Sequence, residues 1–147
     1  MIHNTMFSLF DSKRDKKIKK HLRNLVFLAK VDGKLNEVER DLIFRIGLKN
    51  GLKDNVIAEL IEEVPDFDFR LPATDFERFD QIYDLVQLMV SDGVVDDHEL
   101  DFCVDMAERL GFKKAVVDVL VRKIQQGVSN GMNKDLIRKE AEAFLMN

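Results

Sequence analysis

The chain has 147 residues, 46% of them hydrophobic and 34% charged, with one cysteine, two prolines, seven glycines and a formal net charge of −4. That length and apolar content suit one folded domain and exclude a disordered chain; no apolar run of about 18 residues exists to cross a bilayer, and so little proline and glycine argues against an all-β fold. The lone Cys103 excludes an intramolecular disulfide, and the first residues lack the apolar run and small-residue cleavage site of a secretory signal, so the chain reads as cytoplasmic.

From the N-terminus, Met6, Phe7, Leu9 and Phe10 precede a basic run, 11–23, in which seven lysines and arginines face only Asp11 and Asp15. The rest of the chain is therefore strongly acidic, which argues against nucleic acid as the main ligand, because phosphate binding needs a basic face. Residues 1–14 read as a tail ahead of a domain at 15–147. One reading lays Phe7 and Phe10 into an anionic membrane surface, with Lys13, Lys16, Lys17 and Lys20 on the headgroups. The other folds the two rings back on the body and leaves the lysines in water.

Next, Ile18, Leu22, Leu25, Val26 and Ala29 fall at helical spacing and predict a first helix that closes at Asp32-Gly33. Asn36-x-x-Glu39 has the form of a capping box and predicts a second helix running to Gly51. Val56, Ile57, Leu60 and Ile61 mark a third. Both prolines lie in 64–77, which reads as a connector with Thr74 or Asp75 capping a fourth helix at about 74–91. The series then recurs at a gapless offset of 60 residues: between 22–61 and 82–121, 11 of 40 columns are identical, among them Asp32/Asp92, Gly33/Gly93, Glu39/Glu99 and Gly51/Gly111. Asp96-x-x-Glu99 repeats the capping box, and Val116, Val117, Leu120 and Ile124 repeat the third helix. A last helix, about 133–145 with Asn133 as its cap, belongs to neither copy. The expected fold is all-α: two three-helix units, about 15–64 and 74–126, that share one interior because neither could bury its apolar face alone.

The strongest local signal is the string Asp-Gly-x-apolar-x-x-x-Glu, present as DGKLNEVE and DGVVDDHE. It is similar to the second half of a calcium loop, with glycine at position six and glutamate at twelve. Leu28 and Lys30, and in the second copy Leu88 and Val90, stand at positions one and three, which excludes a true EF-hand. Two readings of the surviving oxygens stay open. Asp32, Glu39, Asp92, Asp96, Asp97 and Glu99 are candidate ligands for a divalent metal ion, and the same residues can simply start helices. The second loop holds more acid than a cap requires, with Asp101 and His98 alongside. Cys103 aligns with Ile43 on an apolar stripe and reads as an inert thiol. No nucleophile and base are paired at sequence level, and no phosphate loop occurs, so no enzymatic chemistry is indicated.

On LAKVDGKLNEVE, LMVSDGVVDDHE, Gly51 and Gly111, the chain resembles the TerB family, associated with bacterial tellurite resistance, over about 15–145. The resemblance implies two repeated units around two long central helices. It implies a non-enzymatic binding or scaffold role in stress or tellurite response, at the inner membrane with membrane-protein partners. It also implies divalent-cation binding at Asp32, Glu39, Asp92 and Glu99; the duplicated loop and the surplus of acid around Asp96 and Asp97 lead separately to the expectation that these loops engage a cation or a basic partner surface. Val31 and Ser91 depart from the alanine that often precedes the family's aspartate.

Overall fold

The computed structural model of the chain describes residues 2–63, 71–90 and 95–145, with the backbone alone for 2–12 and 144–145. It is all-helical, with no strand among the described residues. The order is α1 (Ile2–Ala29), α2 (Glu37–Lys49), α3 (Asp54–Glu62), α4 (Asp75–Met89), α5 (Asp97–Arg109), α6 (Lys114–Ser129) and α7 (Lys134–Leu145). Among the described residues no helix is long and apolar enough to cross a membrane.

Local chemistry sets most of these bounds. Asn36 accepts from Glu39 N at 2.7 Å while the Glu39 carboxylate accepts from Asn36 N at 3.2 Å, a complete capping box. Thr74, not Asp75, caps α4 by accepting from Glu77 N at 3.1 Å. Asp96 caps α5 through Glu99 N at 2.8 Å, but the reciprocal half of the expected box is missing, because the Glu99 carboxylate is taken by Lys49. The segment 2–14, set apart above as a tail, is helical from Ile2 and runs on into α1. No glycine or proline interrupts the sequence before Gly33, so nothing local stops the helix.

Helix bounds in the two aligned stretches agree at the 60-residue offset: α1 and α4 end at Ala29 and Met89, α2 and α5 span 37–49 and 97–109, and α3 and α6 begin at 54 and 114. Burial agrees as well. From 41–60 to 101–120 every position keeps its degree of exposure except Ala58, whose counterpart Asp118 is exposed. α2 and α5 also stop in the same way. Gly51 N and Leu52 N donate back to Leu48 O and Gly47 O, and Gly111 N and Phe112 N donate back to Glu108 O and Ala107 O. This closure needs positive φ, found at +89° and +98°, which glycine adopts without strain.

α3 stops after nine residues and α6 runs for sixteen. Pro65 follows α3 and disfavours helical backbone just before it, whereas no proline follows Val121. The extra turns of α6 end in the same closure, with Gly131 N and Met132 N donating to Val128 O and Gly127 O. The last helix, assigned above to neither copy, thus enters through a turn built like the one between α2 and α3.

One hydrophobic interior joins both halves. α1 packs against α2, α3, α4 and α5, α4 packs against α5 and α6 as well, and α7 lies on α6. Leu22 and Val26 of α1, Ile43 and Ile46 of α2, Phe79 and Ile82 of α4, Met106 of α5 and Leu120 and Ile124 of α6 are fully buried there.

Candidate functional site

The first acidic loop converges on an arginine from the other half. Arg109 ends α5. Its Nη1 donates to Ala29 O and Leu28 O, the open carbonyl end of α1, and its Nη2 and Nε lie 3.4 Å from Glu39 Oε2 and Asp32 Oδ2. A guanidinium suits this work, since its fixed fork can meet carbonyls and carboxylates together. Asp32 sits mostly in water, while Glu39 and Arg109 are half-buried.

The second loop is held from the opposite direction. Lys49, sixty residues before Arg109 and likewise at the end of its helix, donates to Glu99 Oε2 at 2.7 Å. This pair is buried, with side-chain exposures of 10% and 4%. Asn50 donates to Leu88 O at 2.9 Å, closing the end of α4 as Arg109 closes α1. Arg45 pairs with Asp96, whose carboxyl sits below its ordinary range, first because it accepts from Glu99 N–H and also because Arg45 is near. The basic end of each of α2 and α5 therefore grips the acidic start of the other.

These contacts decide what the acidic residues can do. Asp32 and Glu39 share one internal cation, Glu99 has another and Asp96 a third. A divalent ion at the first loop would compete with Arg109 for the Asp32 and Glu39 carboxylates. Among the described residues no group of three or more histidine, cysteine, aspartate or glutamate side chains is arranged to hold one. Asp97 is exposed at the start of α5, as is His98. Asp92 lies outside the described residues.

On α1, Lys13, Arg14, Lys16, Lys17 and Lys20 are exposed and take part in no ion pair among the described residues. At about 100° per residue, Lys13, Lys16, Lys17 and Lys20 fall within one arc of about 100° and make a single stripe. Phe7 and Phe10 stand on the same helix, but their side chains lie outside the described residues.

A second pair was not anticipated from sequence. His21 of α1 and Asp84 of α4 meet with Nδ1 and Oδ2 3.4 Å apart, and His21 Nε2 is buried without a hydrogen-bond partner. Burial lowers the His21 pKa below its ordinary 6.5, against the pull of Asp84, and Lys17, Lys20 and Lys134 lower it further. Burial likewise raises Asp84, against the pull of His21 and Lys134. Both line a groove of about 360 Å³, floored by Ile18, Leu88, Val90 and Val128 and edged by Arg14 and Lys17. The only sequence signal is the position of His21, on the α1 stripe between Ile18 and Leu25. Cys103 is fully buried, its thiol pKa pushed far up by desolvation, with Met89 Sδ 3.1 Å away.

Compared with known proteins, the chain matches no protein-family model, no curated protein and no solved structure.

Proposed function

We propose that the chain is a TerB-like, non-enzymatic binding module that docks on an anionic membrane surface through α1, its acidic loops serving as latches between its halves. The observation that carries this reading is the stripe of exposed lysines without ion-pair partners among the described residues, on a chain whose remaining sequence is acidic. Asp32, Glu39, Asp96 and Glu99 of the two loops, by contrast, already have cations. Each lysine near an anionic surface contributes about 1 kcal/mol, so four give useful but reversible attraction, and the apolar Met6, Phe7, Leu9 and Phe10 earlier in the same helix supply the second signal that stable anchoring requires. The duplicated Asp-Gly loops and the matching helix bounds support the TerB-like reading, and with it a place in stress or tellurite response beside a membrane-protein partner.

Vesicle co-sedimentation tests the docking. The full chain is expected to pellet with phosphatidylserine-containing vesicles and not with phosphatidylcholine alone, to be released by high salt, and to lose at least tenfold in affinity as Lys13→Glu/Lys16→Glu/Lys20→Glu. Equal pelleting on both vesicle types, or an unaffected triple variant, overturns the reading. In a calcium titration followed by NMR, the resonances of 28–39 are expected to stay in place up to millimolar metal.

A further inference from the structure

We propose that the groove where α1, α4 and α6 meet binds a small monocarboxylate with an unbranched apolar tail, a medium-chain fatty acid in chemical class. The groove's volume, about 360 Å³, lies within the roughly 300–1,000 Å³ of small-molecule sites, and its composition, an apolar floor with a few polar groups at one side, is what such sites show. Ile18, Leu88, Val90 and Val128 supply the floor; Leu88 and Val90 are tied into the fold on either side of buried Met89, so the floor is preformed. Arg14 and Lys17, one turn apart on α1 and exposed, stand at the edge with no internal partner among the described residues.

Charge selects the head group. Among the described residues Asp84 is the one acid of the lining, and it is already engaged by His21 Nδ1 at 3.4 Å and by Lys134 Nζ at 3.9 Å. With Asp84 met from outside the groove by Lys134, Arg14 and Lys17 are left facing the head group, which calls for an anion. The Arg14 guanidinium can take a carboxylate through two parallel N–H donors while the tail lies along the floor. This proposal stands apart from membrane docking: Lys13, Lys16 and Lys20 form no part of the groove.

The test uses the full chain and monomeric decanoate without vesicles, followed by methyl NMR. Saturable shifts are expected at Ile18, Leu88, Val90 and Val128. Arg14→Ala/Lys17→Ala, two exposed positions whose loss leaves the fold intact, is expected to weaken binding at least tenfold, and decanol, the same tail without charge, to bind at least tenfold more weakly than decanoate. Lys13→Glu/Lys16→Glu/Lys20→Glu is expected to bind decanoate as the parent does. Absence of saturable shifts at millimolar decanoate, equal binding of decanol, or equal loss in the triple variant, which would mean diffuse charge attraction only, each overturns the proposal. Failure of vesicle docking with decanoate binding intact would remove the membrane reading and leave this one standing.

Discussion

Lys49 and Glu99 form a contact whose worth depends on burial more than on distance. At 10% and 4% side-chain exposure both charges have given up most of their hydration, and the 2.7 Å contact between them offsets much of that cost. Removing one partner strands the other. Lys49→Met is expected to cost about 3 kcal/mol in denaturant unfolding, while Lys49→Met/Glu99→Leu, which removes the stranded carboxylate as well, is expected to be more stable than Lys49→Met alone. Arg40–Glu62 serves as the contrast. With side chains 46% and 72% exposed, that pair is already solvated and screened, and Arg40→Ala should shift stability by no more than about 0.5 kcal/mol. Equal costs at the two sites would mean that the α2–α5 latch does not depend on its buried charge.

At the scale of helices, two glycines act through the space they leave open. Gly47 of α2 faces Ile57 of α3 so closely that an added Cβ would lie 2.6 Å from Ile57 Cδ1 and 2.7 Å from its Cγ1, and Gly127 of α6 meets Ile137 of α7 in the same way. Helix propensity alone would make Gly47→Ala stabilising by about 0.8–1 kcal/mol. Ile57 is fully buried and has nowhere to go, so overpacking at typically about 1–3 kcal/mol should win and leave the variant about 1 kcal/mol less stable by denaturant midpoint. Gly47→Ala/Ile57→Val, which removes Cδ1 and leaves Cγ1, should recover only part of it. These examples also show what could be read in the sequence. Helix starts were legible where a cap acts within three residues, as at Asn36, Thr74 and Asp96, and helix ends where a glycine must take positive φ. The matching Gly-x-x-x-Gly-apolar strings at 47–52 and 127–132 were present but lay at an offset of 80, outside the alignment at 60. Arg109 was illegible as the partner of Asp32 and Glu39, because seventy and more residues separate them and only helix packing brings them together. The acids were legible and their internal cations were not.

Across the molecule, the halves meet along α1 and α4, and the His21–Asp84 contact lies on that seam, with Lys134 of α7 reaching Asp84 from the far side. Proton binding there bears on the stability of the whole chain. Burial lowers the His21 pKa, so as pH falls through 6.5 the unfolded chain takes up a proton that the folded one still refuses, and stability declines. Asp84 has the opposite sign: its raised pKa lets the folded chain take a proton before the unfolded one does, so its contribution grows as pH falls toward 3.8. The two groups therefore act in opposite senses. Thermal unfolding from about pH 7.5 down to about pH 5.5 should therefore show the parent losing stability more steeply than His21→Asn, which carries no proton-binding ring. The difference between the two chains reports the coupled His21–Asp84 pair and cancels the carboxylates that do not touch it. Parallel curves would mean that this histidine binds its proton as readily in the folded chain as in the unfolded one, and that the seam is open to water.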